Sequence, residues 1–130
     1  MTMKIMPQLA VFLDNRPGML ARLCQALAKQ EINIIALSML DTVDHAIVRM
    51  VVDKPDEAKR LLEKLPVTVQ VRDVIFLDLP NQVGALAQLA EQLTEAGINL
   101  EYAYSAGSAT GPAGLILRTN DLEGTINALS

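Results

Sequence analysis

One stretch of this chain occurs twice, and the duplication constrains the fold more than any other feature. Residues 13–20 are LDNRPGML and residues 79–86 are LPNQVGAL. The spacing of 66 residues that separates Asn15 from Asn81 also relates Leu27 to Leu93, without a gap. A match of this length at one spacing indicates duplication of a whole structural unit. Each copy of the stretch separates an apolar strand-like run from an amphipathic helix, so the duplicated loop is the first candidate for a functional site.

The order of apolar patterns predicts the same fold for both copies. Strands are predicted at residues 8–13, 32–40, 45–52 and 67–72, with helices that begin near Pro17 and Pro55. The second copy repeats this order with strands at 74–79, 98–105 and 113–119 and helices at 83–96 and 122–129. The sequence stops at Ser130, before a counterpart of strand 67–72. We therefore predict an α+β fold of two βαββαβ units, residues 1–72 and 73–130, the second lacking its last strand.

Each predicted helix has a single apolar stripe, so both helices of a unit should cover one face of an antiparallel sheet. The opposite faces also carry apolar residues, such as Ile47, Val51 and Ile116, which should not be bare to water. Asp14 or Asn15 could cap the first helix, and Asn120 with Glu123 fits a capping box for the last. Gly97 fits the position that ends the third helix.

Composition excludes several classes of function. Hydrophobic residues make up 51% of the chain, but charged residues interrupt every segment, so no membrane span is expected. The net charge is −4 and the aromatic content is 3%, so the chain has neither the basic surface nor the stacking rings expected of a nucleic-acid binder. Nucleic acid is therefore not an expected ligand. A single cysteine, Cys24, and the absence of a secretory signal pattern predict a cytoplasmic location.

The sequence gives no support for catalysis or for a cofactor. His45 is the only histidine, and Cys24 lies on the apolar stripe of a helix, so no metal site and no Cys-His nucleophile pair is expected. Five carboxylates fall in turns or at a helix start, where capping explains them: Asp41, Asp44, Asp53, Asp56 and Glu57. The glycine-rich segment 106–112 joins two strands and has no Lys, which fits a mobile hairpin loop better than a phosphate loop.

The two βαββαβ units resemble the ACT domain family of small-molecule sensors over nearly the whole chain. The resemblance rests on the Asn-x-x-Gly turn after the first strand of each unit and on the Ile-Asn start of the second strand. The first copy, DNRPG, matches the family pattern well, whereas the second, PNQVG, lacks the acidic residue and the later Pro. A bulky residue at Gly18 is therefore expected to abolish ligand binding, and the same change at Gly84 to matter less. The resemblance implies ferredoxin-like units that bind an amino acid at the loop between first strand and first helix, at a junction of paired domains.

The predicted ligand-binding residues come from both loops and from the start of the second strand of each unit. Gly18 and Gly84 allow backbone to approach a ligand, and the following helix N-terminus favours a carboxylate. Asp14 could receive the ammonium group of the ligand, and Arg16 its carboxylate. The glycines could equally serve the turn alone, Arg16 could be a solvated charge, and Asn33 and Asn99 could bridge a helix-to-strand turn. The candidates are Asp14, Asn15, Arg16, Pro17, Gly18, Met19, Leu20, Asn33, Asn81, Gln82, Val83, Gly84, Ala85 and Asn99.

The sequence thus predicts a non-catalytic amino-acid sensor. The alternative is a regulatory subunit that binds a partner enzyme and has no small ligand of its own. A homodimer is also expected, with the strand edges or the apolar outer sheet faces in the interface, because strand 74–79 would have an unpaired edge in a second unit without its last strand. Residues 1–6, from the same chain or from a second copy, are of a suitable kind to pair with that edge.

Overall fold

The computed structural model describes residues 2–107 and 113–130, and the described residues form six strands and four helices. The predicted glycine-rich hairpin loop at 106–112 lies, beyond Gly107, outside the described residues. The elements are β1 (Met3–Asp14), α1 (Met19–Lys29), β2 (Ile34–Asp41), β3 (His45–Val52), α2 (Pro55–Leu62), β4 (Thr68–Leu79), α3 (Ala85–Glu95), β5 (Leu100–Gly107), β6 (Ala113–Thr119) and α4 (Leu122–Leu129).

Two strands are longer than the sequence pattern predicts. β1 begins at Met3 rather than Gln8, and β4 runs without a break from Thr68 to Leu79, where two separate strands were expected. No Gly or Pro lies between Thr68 and Leu79, so nothing in this stretch forces the backbone out of the extended conformation. As a result, the boundaries of the two units, at residues 6/7 and 72/73, fall within β1 and β4.

The first unit is formed by Pro7–Arg72. Its strands lie in the order β2-β3-β1-β4, and β1 and β3 are antiparallel, with Asp14 opposite His45. Every second residue of β1 faces the helices, so Leu9, Val11 and Leu13 are fully buried in the core with Leu23 and Leu27 of α1. Burial of each such Leu side chain contributes about 2 kcal/mol. The α+β arrangement predicted for this unit is therefore confirmed.

The second unit combines residues 2–6 with the described part of Asp73–Ser130. The backbone N–H of Asp78 donates to the carbonyl oxygen of Thr2 at 3.1 Å. Met3 packs against the core of this unit, and the Lys4 Nζ lies 5.5 Å from the centre of the Phe76 ring. The strand order is β1-β4-β6-β5. The start of the chain thus fills the place of the last strand that this unit lacks.

The duplication extends to individual hydrogen bonds, because turns 66 residues apart close in the same way. The matching bonds are Arg16 N to Asp14 O (3.0 Å) with Gln82 N to Pro80 O (2.9 Å), and Ile32 N to Leu27 O (3.0 Å) with Ile98 N to Leu93 O (2.9 Å). Gly97 has a φ of 70° and ends α3 as predicted. Of the residues expected to be covered, Val51 and Ile116 are fully buried, whereas Ile47 is half-buried.

Candidate functional site

Both duplicated loops deliver the chain into a helix through a glycine in the left-handed conformation. Gly18 precedes α1 with φ 87° and ψ −9°, and Gly84 precedes α3 with φ 84° and ψ −2°. Any residue with a Cβ is strained at such angles. A Cβ built on either glycine meets no atom within 4 Å, so the space above both loops is open. The glycines are therefore required by the backbone and leave room for a ligand.

The N-termini of α1 and α3 carry neither a side-chain cap nor an acidic residue in the first turn. The other two helices have such groups: α2 has Asp56 and Glu57 in its first turn, and Asp121 of α4 accepts from the N–H of Gly124 at 2.9 Å. A helix N-terminus offers unpaired N–H groups and a partial positive charge. At α1 and α3 no carboxylate of a cap or of the first turn offsets that charge, which suits both ends to an anion such as a carboxylate.

The residues predicted to cap the N-termini of α1 and α4 are wrong. Neither Asp14 nor Asn15 caps α1, because Gly18 occupies the capping position and the side chain of Asn15 is engaged elsewhere. Asp121, rather than Asn120, caps α4. The side chain of Asn120 instead accepts from the backbone N–H of Asn99 at 3.0 Å. Short polar side chains have several backbone partners within reach, so residue type alone does not fix which one they bind.

The first loop is tied to the turn between β2 and β3. The Asn15 Nδ2 donates to Asp41 Oδ1 at 2.5 Å and to the carbonyl oxygen of Thr42 at 3.3 Å. Its backbone N–H donates to the carbonyl oxygen of Asp44 at 3.2 Å. Asn15 therefore holds two turns together, and its amide N–H groups are already used in the structure.

The other predicted residues of the first loop divide into a solvated part and a core part. Asp14, Arg16 and Pro17 are exposed, and the Arg16 Nε lies 3.8 Å from Asp14 Oδ2. An ion pair this exposed contributes little to stability. Met19 is buried, with 8% of its surface exposed, and Leu20 packs against the same core. Only the solvated part is placed to contact a ligand.

The second loop borders a cavity of about 240 Å³. Gly84 and Ala85 line it from the loop and the helix start, and Gln82, Gln88 and Gln92 supply amide groups. Gln88 and Gln92 were not among the sequence-predicted residues, although their spacing of four places them on one face of α3, which the sequence could have revealed. Val83 also lines the cavity and is fully exposed, and Asn81 is exposed nearby.

Asn33 and Asn99 lie away from the loops. The backbone N–H of Asn33 donates to Asp53 Oδ1 at 2.9 Å, and its carbonyl oxygen accepts from Asp53 N at 3.1 Å. Asp53 follows the last residue of β3, whereas Asp14 is opposite the first, so the length of β3, about 23 Å, separates the two ends. The structure therefore does not bring Asn33 to the first loop.

Features of other functional classes are scarce in the described part of the chain. No group of three or more His, Cys, Asp or Glu residues there is arranged to hold a metal ion. Cys24 is a half-buried free cysteine. None of the helices at 2–107 and 113–130 reaches the length and hydrophobicity that crossing a lipid bilayer requires.

Comparison with known proteins agrees with this geometry. A family model described as an ACT domain pair matches residues 1–129. The crystal structure of protein BT0572 from Bacteroides thetaiotaomicron is 32% identical, with a TM-score of 0.91 over 98% of this chain and 88% of that one. Curated proteins give no significant match.

Two more distant structures share the fold. The regulatory subunit of aspartate kinase from Thermus thermophilus, in a ligand-free form, is 15% identical, with a TM-score of 0.71 over 99% of this chain and 95% of that chain. The corresponding subunit from Thermus flavus is 16% identical, with a TM-score of 0.65 over 98% of this chain and 93% of that chain. The match to the family model over nearly the whole sequence shows that this chain belongs to the ACT domain pair family.

Proposed function

We propose that this protein is a non-catalytic, cytoplasmic regulatory protein that binds an amino acid at the loop between strand and helix, next to a domain or subunit interface. The observation that carries the proposal is the pair of helix N-termini that follow Gly18 and Gly84. Both lack a side-chain cap and a first-turn acid, and both open onto free space. A carboxylate placed there would accept hydrogen bonds from unpaired backbone N–H groups.

The second loop is the better candidate for the occupied site. Its cavity of about 240 Å³ lies below the range of about 300–1,000 Å³ for drug-sized ligands, which suits something as small as an amino acid. In the first loop, the Asn15 side chain is bound to the neighbouring turn. The first loop would therefore bind more weakly, although its sequence is closer to the family pattern.

The chemistry of the second cavity fits both ends of an amino acid. The N–H groups of Leu86 and Ala87 belong to the first turn of α3 and have no acceptor within the helix. They would receive the carboxylate. Pro80 occupies the position where the first copy has Asp14, so the second loop has no carboxylate there for the ammonium group. The amide oxygens of Gln82, Gln88 and Gln92 would accept its hydrogen bonds instead.

A second candidate function is a regulatory subunit that binds an enzyme without a ligand of its own. The observation that favours it is an exposed apolar stripe along α3, where Leu86 is 53% exposed and Ala87 and Ala90 are also exposed. Two structures of similar fold are described as regulatory subunits of aspartate kinase. An amphipathic helix that lays an exposed apolar face into a groove is a recurring mode of partner recognition.

Thermal-shift measurements against the twenty amino acids separate the two candidates. A ligand that binds only the folded state, present at about 100 times its dissociation constant, adds about 2.7 kcal/mol of stability. The proposal predicts a clear rise in melting temperature with one amino acid or one chemical group of them. A flat response to all of them would reject amino-acid binding and favour the partner-binding function.

A further inference from the structure

An open cleft of about 730 Å³ lies at one end of the first unit and plays no part in the loop sites proposed above except through Asp14. All the residues that line it belong to Pro7–Arg72. Among its lining residues are Phe12, Asp14, Thr42, His45, Ile47 and Gln70.

Strand alternation explains why these side chains share one surface. Val11 and Leu13 of β1 face the helices and the core, so Phe12 and Asp14 project from the other face of the sheet. Cross-strand pairing places Phe12 directly opposite Ile47 and Asp14 opposite His45. The cleft therefore has an apolar pair next to a polar pair, set by register and not by a flexible loop.

The charge of the cleft is suited to a cation. Asp14 brings a carboxylate, and no Lys or Arg is among the lining residues. The Arg16 Nε approaches the carboxylate only to 3.8 Å, and the two side chains are 62% and 65% exposed. An exposed pair of this kind is worth little, so a ligand cation can replace it at small cost. Asp14 is the one carboxylate among the lining residues, so it is the charged acceptor of the cleft.

We propose that this cleft binds a small organic amine that has no carboxylate. Its protonated amino group lies at Asp14, and its aromatic or branched aliphatic body lies over Phe12 and Ile47. A charged hydrogen bond to a carboxylate orients the amine, and contact with the apolar pair removes nonpolar surface from water. The site differs from the loop sites because it needs no helix N-terminus.

The only histidine of the chain makes the test direct, since His45 lines the cleft and its ring protons give a single set of NMR signals. The probe is 2-phenylethylamine, with 2-phenylethanol as the uncharged analogue and methylamine as the analogue without an apolar body. The proposal predicts a saturable shift of the His45 signals with the first probe, and affinities at least about tenfold weaker for the other two.

Two variants locate the effect. Asp14→Asn removes the charge with almost no change in shape, and should weaken binding of 2-phenylethylamine by about tenfold or more. Asp56→Asn removes the same charge from the exposed first turn of α2, outside the cleft, and should leave the affinity unchanged. The proposal is overturned if the His45 signals show no saturable shift, if all three probes bind alike, or if Asp14→Asn binds as well as the unmodified chain.

Discussion

The side-chain amide of Asn15 donates a hydrogen bond to the carboxylate of Asp41 at 2.5 Å, across 26 residues of sequence. This bond ties the first duplicated loop to the turn that follows β2. In the second copy, the residue that corresponds to Asp41 is Gly107, which has no side chain to accept such a bond. The two loops thus share a backbone conformation but differ in how they are held.

The bond to Asp41 predicts a measurable loss of stability. Asp41→Ala removes the acceptor, and we expect the free energy of unfolding to fall by about 1 kcal/mol, the usual value for a single hydrogen bond. The matched control is Asp44→Ala, since Asp44 contacts Asn15 through its backbone carbonyl oxygen and the substitution removes an equal charge from the same turn. Urea unfolding of both variants measures the difference. Equal losses would mean that charge, not this bond, matters.

The left-handed residues that follow α1 and α3 predict opposite effects of adding and of removing a glycine. Glu31 has a φ of 57°, and Gly97, which occupies the same position in the second copy, has a φ of 70°. A Cβ on Gly97 would meet no atom within 4 Å, so Gly97→Ala should cost only the left-handed strain, about 1 kcal/mol. Glu31→Gly relieves that strain in the folded state but raises the conformational entropy of the unfolded chain, which offsets part of the gain. The net effect should be a small increase in the free energy of unfolding. A destabilised Glu31→Gly variant would contradict this account of the turn.

The start of the chain should be part of the second unit. Deletion of residues 1–6 removes the hydrogen bond between Asp78 and Thr2 and the packing of Met3. The free energy of unfolding should fall by about 1 kcal/mol for each backbone hydrogen bond lost. Amide hydrogen exchange should then accelerate in β4 from Asp73 onward. Thr2→Ala is the control, because Asp78 binds the backbone oxygen of Thr2 and not its hydroxyl. Unchanged exchange in the deletion variant would show that the segment does not complete the unit.

The expected homodimer should form through β2. The edge of strand 74–79, which the sequence predicts as a dimer contact, is occupied by the start of the same chain, as the hydrogen bond from Asp78 to Thr2 shows. In the first unit β2 is the outer strand, and Leu37 and Met39 are 37% and 47% exposed along it. An apolar strand edge of this kind promotes pairing with another chain.

Light scattering tests the dimer. The unmodified chain of 14.1 kDa should have twice its own mass in solution, and Leu37→Lys should return it to the monomer mass. Leu86→Lys, at an exposed apolar position on α3, should leave the dimer intact. A monomer before substitution, or a dimer that only Leu86→Lys disrupts, would contradict a β2 interface.

Much of the fold could be predicted from the sequence because local patterns determine it. β3 and β6 have the predicted bounds, 45–52 and 113–119, since each strand ends where a helix-start pattern begins. The continuous β4 was missed because the expected unit boundary at Arg72 and Asp73 carries no turn-forming residue. The pairing of Thr2 with Asp78 is equally hidden, because it joins residues far apart in sequence and no local pattern records it.

The candidate site was less predictable for a chemical reason. Gly18 and Gly84 could be identified because only glycine tolerates the left-handed angles without strain. Asn15 has both donor and acceptor groups, so its residue type allows the expected cap on α1 as well as the bond to Asp41 that the structure shows. The cavity that Gln88 and Gln92 border depends on how α3 packs, which the motif alone does not specify.

The most direct test of the central claim is calorimetric titration of two glycine variants with the amino acid that stabilises the protein most in the thermal-shift screen. Gly18→Val and Gly84→Val carry nearly the same backbone strain, because their φ angles are 87° and 84° and neither new Cβ meets an atom within 4 Å. They differ only in which loop they obstruct. We predict that Gly84→Val abolishes binding, whereas Gly18→Val retains an affinity within about threefold of the unmodified chain. Binding by Gly84→Val as tight as that of the unmodified chain would contradict a ligand site at the second loop.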